Sequence, residues 1–330
     1  MITTFELAKL EPDFGGPPGA VVSIGVFDGV HLGHQAILAA NVRRARELGA
    51  RASVVTFRRH PKRVLLGRAP RTLTTLEHRL EHFARAGIDH AVALNFDEEL
   101  RAVSAEDFVD ELVRRLGARA FVLGFDSKFG RDRGGTPELI ARLGWPVEVV
   151  PKVLVGDRAV SSTAIREAVE LGDLAGAARM LGRPVSVSGR VVHGDARGRR
   201  LGFPTANLDL QHELHPPVGV YACRARRRET DERLHGVTNI GFRPTVRAEG
   251  GEPTVEVHLF DFAGDLYGER LELEFVERLR GEKRFAGPDE LAAQIARDVA
   301  AAREILARPD KQAVDSRGGR ARQSPPVSGR

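Results

Sequence analysis

Two histidines, His31 and His34, stand where an apolar run ends and a helical pattern begins. The run from Ala20 to Phe27 predicts a buried strand, and Asp28-Gly29 interrupts it. A helix is predicted next from apolar residues three to four positions apart, namely Ile37, Leu38, Val42, Ala45 and Leu48. A helix N-terminus offers unpaired N–H groups and a partial positive charge, and Gly33 lets a phosphate approach the backbone closely. Two imidazoles there can donate hydrogen bonds to a phosphoryl group that gains charge, so the segment predicts polyphosphate chemistry.

A histidine pair of this spacing has two other interpretations, a chance surface pair or half of a metal site. The single cysteine, Cys223, lies far away in the sequence, which argues against structural zinc. The order of strand, glycine, histidine, glycine, histidine and helix favours the nucleotide interpretation over both alternatives.

A second predicted helix N-terminus contains an arginine. Ser162 or Thr163 is predicted to cap a helix that begins within Ser161-Ser-Thr-Ala-Ile-Arg166. Arg166 lies in the first turn, where its charge opposes the helix dipole, and a bound anion would join the two. A solvated surface arginine is the alternative interpretation.

A glycine-rich stretch from Gly189 to Asn207 is a third candidate. Its glycines can bring backbone N–H groups to phosphates, and it contains no lysine of the Walker type. Thr205 and Asn207 alternate with Ala206, so both side chains can face one site and offer oxygen ligands to Mg²⁺. A turn-rich strand with incidental polar residues is the alternative.

Glu256 is a candidate general base because it lies on a clearly alternating strand. In Thr254-Val-Glu-Val-His-Leu-Phe260, the predicted core residues are Val255, Val257 and Leu259, and the outward residues are Thr254, Glu256 and His258. An exposed strand glutamate is the alternative interpretation.

The elements of the first half predict a parallel sheet. Strands are expected at Ala20–Phe27, 52–57, 90–94, 120–124 and 147–150, with helices between them, including one over 72–87. Residues 1–19 are a Pro- and Gly-containing leader. Ligands collect at the carboxyl ends of parallel strands, where His60 and Asp126 fall, although His60 has an alternative as a loop histidine. The predicted fold is a three-layer α/β domain.

The pattern changes near Gly182-Arg-Pro184, where short alternating strands with turns predict an antiparallel barrel. A helix from Pro288 to Leu306 follows, with an apolar stripe of Leu291, Ile295, Val299 and Ile305. We therefore predict domains at 1–182 and 183–307, and a disordered basic tail at 308–330.

Composition supports two ordinary globular domains in the 330 residues. The tail holds six basic and two acidic residues, which is +4 of the formal net charge of +5. The folded body is thus nearly neutral, which does not favour a nucleic-acid partner. No apolar run reaches the roughly 20 residues of a membrane span, and the start lacks the form of a signal peptide, so a cytoplasmic location is expected.

The segment Gly25-Val-Phe-Asp-Gly-Val-His-Leu-Gly-His34 resembles the signature of the cytidylyltransferase-like superfamily. With the other three stretches, the chain from about Ser23 to Leu306 resembles the bacterial bifunctional riboflavin kinase/FAD synthetases. The resemblance implies a Rossmann-like nucleotidyltransferase α/β/α domain, followed by a riboflavin-kinase-type antiparallel β-barrel with a C-terminal helix. It implies that the barrel phosphorylates riboflavin with ATP to give FMN. The first domain would then join FMN to the AMP part of ATP, giving FAD and pyrophosphate.

The resemblance also implies roles for individual residues. In the first domain, the phosphates would be stabilised by His31 and His34, with further nucleotide contacts from Gly25, Phe27, Asp28, His60, Asp126, Ser162, Thr163 and Arg166. In the barrel, substrate contacts would come from Gly194, Arg199, Gly202, Pro204, Thr205 and Asn207. Thr205 and Asn207 would hold Mg²⁺, and Glu256 would accept the proton of the ribityl hydroxyl. The expected partners are these small molecules, with no nucleic acid or membrane, and the expected state is a monomer or weak oligomer.

The sequence departs from the family pattern in the adenylyltransferase half. Arg58 and Arg59 stand where the family usually has an acidic residue and a proline before His60, and the run from Phe125 to Phe129 is also unusual. Two alternatives follow: a riboflavin kinase with a vestigial amino-terminal domain, or a non-catalytic flavin-nucleotide-binding protein.

Overall fold

The computed structural model describes residues 1–4, 19–194, 197–211, 213–242 and 253–308. Contacts divide the described chain into two compact units, and the division falls between Ser162 and Thr163. The domain boundary at residue 182 therefore stays a prediction. The predicted tail lies, from residue 309 onward, outside the described residues.

The first unit contains a six-stranded sheet in which every neighbouring pair is parallel. Its strands are β1 Ile2–Thr4, β2 Ala20–Ile24, β3 Arg51–Phe57, β4 His90–Leu94, β5 Ala118–Gly124 and β6 Val147–Val150. Their order in the sheet is β1-β4-β3-β2-β5-β6. A short hairpin follows, formed by β7 Leu154–Val155 and β8 Arg158–Ala159.

Helices cover both faces of this sheet. They are α1 Leu32–Glu47, α2 Lys62–Leu66, α3 Leu76–Arg85, α4 Glu98–Ala102, α5 Ala105–Leu116 and α6 Pro137–Arg142. Neighbouring strand residues point to opposite faces. Val22 therefore packs in the core with Leu112 of α5, whereas Val21 packs in the core with Leu38 of α1 and Phe83 of α3. The predicted three-layer α/β fold is confirmed.

Three predicted boundaries of this unit were wrong. β2 ends at Ile24 rather than Phe27, and Phe27 has a φ of 53°, which lies outside the strand conformation. The helix predicted to start at Thr72 begins only at Leu76, since the Thr75 hydroxyl caps it. The predicted leader contains strand β1, three residues that pair with β4 at the sheet edge.

The second unit begins within α7 Ser162–Glu170, which α8 Leu174–Leu181 follows. A closed antiparallel barrel then forms in the order β10-β13-β12-β11-β14-β9. Its strands are β9 Ser186–Val192, β10 Ala206–Asp209, β11 Gly219–Arg227, β12 Arg233–Gly241, β13 Thr254–Leu259 and β14 Arg270–Arg280. A short helix, α9 Arg197–Arg200, precedes β10. The predicted barrel is confirmed.

Helix α10, Pro288–Leu306, packs on the outside of the barrel. Val299 and Ile305 of the predicted stripe pack against Val220 and Val237. On β13, Val255, Val257 and Leu259 are buried as the alternation predicts. Among the described residues, the structure contains no helix with both the length and the apolar character needed to cross a membrane.

Candidate active sites

The first candidate site lies at the carboxyl ends of β2 and β5. These strands are neighbours, and the chain builds the sheet outward in opposite directions from them, to β3 and β4 on one side and to β6 on the other. Such a switch point leaves a crevice where ligands bind in open parallel sheets. The histidine segment follows β2, and Asp126 follows β5 as an exposed residue.

His31 and His34 form a stacked pair at the start of α1. Their ring centroids are 3.6 Å apart, with an angle of 17° between the planes. His31 is the N-cap, and its Nδ1 accepts a hydrogen bond from the backbone N–H of His34 at 3.3 Å. Because Nδ1 accepts, the neutral ring carries its proton on Nε2. A Cβ at Gly33 would lie only 3.2 Å from the His31 ring, which explains the glycine.

Asp28 organises the loops beneath this pair. Its carboxylate is 2% exposed and accepts hydrogen bonds from the backbone N–H groups of Leu73 and Thr74, at 2.9 and 3.1 Å. Its backbone carbonyl accepts from the Ser162 hydroxyl at 2.9 Å. The structure thus places Asp28 and Ser162 in contact with each other, with the Asp28 side chain turned to the protein.

Phe27 is also turned inward. Its side chain is 2% exposed, and it contacts the His34 ring edge-on at a centroid distance of 5.1 Å. Thr163 and Arg166 lie in the first two turns of α7 and belong to the second unit, and Thr163 is exposed.

Arg79 is a residue that the sequence analysis missed. It is 4% exposed, and its guanidinium donates to the carbonyls of Val26 and Phe57, at 2.5 and 2.9 Å. Burial lowers the pKa of Arg79, and the charge of Asp28 partly opposes that effect. Arg79 thereby joins the segment that follows β2 to the last residue of β3. Its position on α3 gives no local signal, since its two partners lie 53 and 22 residues away.

A cavity of about 490 Å³ adjoins these segments. Gly25 and His60 line it, as does an aromatic wall formed by Phe57, Phe96, Phe108 and Phe129. Basic residues of the lining are Lys62, Arg101, Lys128, Arg131 and Arg133. Arg58 and Arg59 are exposed and are not among the residues that line this cavity. The cavity suits a flat aromatic ligand that carries negative charge.

The second candidate site is a cavity of about 320 Å³ in the barrel unit, and it brings together Thr205, Asn207 and Glu256. Asn207 pairs with Glu256 across β10 and β13, and Glu256 pairs with Asn239 across β13 and β12. Residues directly opposite each other in a sheet share a face, so these three side chains form a row. Asn239 lines the cavity too, and only the strand register could have identified it.

Asn207 has the properties of a metal ligand. It is 7% exposed, and its buried Oδ1 accepts no hydrogen bond within the part of the chain that the structure describes. An unsatisfied oxygen on a side chain that lines the cavity with Thr205 and Glu256 fits a hard cation such as Mg²⁺. A Cβ at Gly194 would lie 2.1 Å from Asn207 Nδ2, so Gly194 makes room for this side chain.

Thr205 lines both the 320 Å³ cavity and a neighbouring cavity of about 400 Å³. Arg199 and Pro204 line it, together with Asp265 and Tyr267. Gly202, with a φ of +83°, turns the chain just before it. Thr205 therefore lies between two cavities of the barrel unit.

The far wall of the 320 Å³ cavity contains further charged residues that the sequence analysis missed. Arg280 forms an ion pair with Asp298 at 2.9 Å, and Gln294 donates to the same carboxylate at 2.8 Å. The side chain of Asp298 is 6% exposed. The pair fixes the end of β14 to α10 beside the cavity.

These folds and sites define a transferase of two units, one built for nucleotidyl transfer and one for phosphoryl transfer. The family description FAD synthetase matches residues 16–164, and the description riboflavin kinase matches residues 181–306. The chain is 40% identical over 294 residues to the bifunctional riboflavin kinase/FMN adenylyltransferase of Escherichia coli K12, covering 87% of this chain and 93% of the relative. The enzyme of the same name from Bacillus subtilis is 37% identical over 288 residues, covering 84% and 90%. The chain belongs to the family of bifunctional riboflavin kinase/FMN adenylyltransferases.

One solved structure is similar over nearly the whole chain. It is described as a macrolide-efflux protein from Streptococcus pneumoniae, with a TM-score of 0.78 and 30% identity. The similarity covers 92% of this chain and 98% of that one. It supports the fold, while the family rests on the sequence relatives.

Proposed function

We propose that this chain makes FAD from riboflavin in two ATP-dependent steps, one in each unit. The barrel phosphorylates riboflavin to FMN, and the first unit adenylylates FMN to FAD with release of pyrophosphate. The observation that carries the proposal is the convergence of Thr205, Asn207 and Glu256 on one cavity, in a chain whose other unit holds the stacked histidine pair.

In the kinase step, Glu256 accepts the proton of the terminal ribityl hydroxyl while the oxygen of that hydroxyl attacks the γ-phosphorus of ATP. The bond from that phosphorus to the ADP oxygen breaks, and ADP leaves. Thr205 and Asn207 would hold Mg²⁺, which neutralises phosphate charge when bound. Riboflavin occupies the cavity with Glu256, and ATP occupies the one with Arg199. Thr205 borders both and lies where the phosphoryl group passes.

In the adenylyl step, a phosphate oxygen of FMN attacks the α-phosphorus of ATP, and the bond to pyrophosphate breaks. The Nε2–H of His31 and the ring of His34 donate to the phosphates as charge develops, beside the N-terminus of α1. Ser162 and Asp126 add contacts to the nucleotide. FMN occupies the 490 Å³ cavity, with its ring against the phenylalanines and its charge near the basic residues.

Neither step uses a covalent enzyme intermediate. The single cysteine, Cys223, is buried, and burial raises the pKa of its thiol to about 12. The thiolate that a cysteine nucleophile needs is therefore not formed near neutral pH. Positioning and charge stabilisation supply the catalysis.

We also propose that the chain acts in the cytoplasm on these small molecules, as a monomer or weak oligomer without a nucleic-acid or membrane partner. The nearly neutral charge of residues 1–307 supports this proposal. Sedimentation of the purified chain with and without DNA measures its oligomeric state and its binding to nucleic acid. A stable higher oligomer would contradict the first of these points, and comigration with DNA would contradict the second.

The enzymatic proposal is tested by chromatography of the purified chain with riboflavin, ATP and Mg²⁺, and separately with FMN, ATP and Mg²⁺. We expect FMN and then FAD in the first reaction, and FAD in the second. FMN as the final product would show that the first unit lacks activity. Tight flavin binding without any product would establish a binding protein instead. A parallel reaction with EDTA tests the requirement for Mg²⁺.

A further inference from the structure

His258 lines the 320 Å³ cavity of the barrel unit and has no role in the mechanism above. It lies on β13 two residues after Glu256, so the two side chains lie on the same face of the strand. Both line the 320 Å³ cavity. Their buried neighbours Val257 and Leu259 face the opposite side.

The ring of His258 contacts the segment that leads into Thr205. Its Nδ1 lies 2.8 Å from the carbonyl oxygen of Pro204. A carbonyl only accepts hydrogen bonds, so Nδ1 carries the proton and donates it. The same ring meets Phe203 edge-on, with a centroid distance of 5.5 Å and an angle of 84°.

The hydrogen bond from His258 to Pro204 lies just beyond the end of the backbone pairing between β10 and β13. The pairing of β10 with β13 ends at Ala206 and Val257, and β10 itself begins at Ala206. Thr205 is the next residue outward and has no place in the ladder. The bond from His258 to Pro204 attaches the segment to β13 one step beyond the last backbone pair.

We propose that His258 is a positioning residue for phosphoryl transfer, holding Pro204 so that the Thr205 hydroxyl stays between the two cavities. This inference rests on the proposed kinase function of the barrel. His258 acts through Thr205 and exchanges no proton with substrate.

Two substitutions of His258 separate the effect of its hydrogen-bond donor from the effect of its aromatic ring. His258→Phe keeps an aromatic edge for Phe203 and removes the donor. His258→Asn keeps an N–H group near the place of Nδ1 and removes the ring. Loss of a neutral hydrogen bond lowers a rate about fivefold, and the displacement of Thr205 adds to that loss.

We therefore expect His258→Phe to lower kcat for FMN formation about tenfold or more, with the KM for riboflavin unchanged. His258→Asn should recover most of that loss and keep the pH profile of the natural chain. FAD formation from FMN, which takes place in the other unit, should stay constant in both variants. His235→Phe is the matched control, because His235 is an exposed histidine of β12 that lines neither barrel cavity.

Three results would overturn the inference while the natural chain makes FMN: full activity of His258→Phe, equal loss in His258→Asn and His258→Phe, or a pH-profile limb that disappears in His258→Asn. The last result would make His258 an acid–base catalyst. A natural chain that makes no FMN would instead refute the kinase function itself.

Discussion

The Gly194–Asn207 contact shows how much a ligand side chain depends on its neighbour. A Cβ at Gly194 would lie 2.1 Å from Nδ2 and 2.8 Å from Oδ1 of Asn207, so the amide keeps its position only because residue 194 is a glycine. The sequence analysis identified Asn207 as a Mg²⁺ ligand, and Gly194 only as part of a glycine-rich stretch whose backbone would bind phosphate. The structure adds the physical reason for this glycine, which is space for a side chain.

Substitution of this glycine tests that reason. Gly194→Ala places a Cβ 2.1 Å from Asn207 Nδ2, so the amide must move. Displacement of a packed group costs about 1–3 kcal/mol, and we expect FMN formation to fall at least about tenfold. Steady-state kinetics with riboflavin measures the effect. Gly287→Ala is the control, since its Cβ would meet no atom within 4 Å. Unchanged FMN formation in Gly194→Ala would refute the spatial role.

At the scale of elements, local signals worked where they were strong. The alternation of β13 correctly identified its buried face. β1 was missed because three residues hold too little pattern, and their pairing depends on a strand nearly 90 residues away. Phe27 lies outside the predicted strand, with a positive φ and with its ring in contact with His34 and Phe83, and these contacts have no local sequence pattern.

Strand β4 makes the first unit sensitive to acid. His90 is 3% exposed, and burial, aided by the charge of Arg51, lowers its pKa from 6.5 to about 4. Between pH 6.5 and pH 4, the imidazole of His90 is protonated in the unfolded chain and neutral in the folded chain. The contribution of His90 to the free energy of unfolding therefore decreases as the pH falls from 6.5 to 4. The decrease is about 2 kcal/mol at pH 5, and it levels off below pH 4.

Denaturant unfolding at pH 7 and pH 5 measures this effect. His90→Gln cannot titrate, so we expect the difference in unfolding free energy between the two pH values to shrink by about 2 kcal/mol. The exposed His235→Gln, in the other unit, is the control and should leave the difference unchanged. An equal pH dependence in the natural chain and in His90→Gln would contradict the assignment.

At the scale of the whole molecule, the order of the two folds and most site segments were predictable from sequence. Motif residues such as His31 and Thr205 carry a local pattern of glycines and strand ends. Residues that complete the sites carry none. Arg79 reaches one carbonyl in the loop after β2 and another at the end of β3, and Asn239 joins Asn207 and Glu256 only through the strand register. Long-range contacts of this kind appear only after folding.

The central claim is that two separate sites act in series, and crossed inactivation tests it most directly. Glu256→Gln and the double variant His31→Ala/His34→Ala are each given riboflavin with ATP, and FMN with ATP, and the products are separated by chromatography. The account predicts that Glu256→Gln loses FMN formation by about 100-fold or more but converts FMN to FAD, whereas the double variant accumulates FMN and stops there. Loss of both activities in either variant, with the fold intact, would contradict two independent sites.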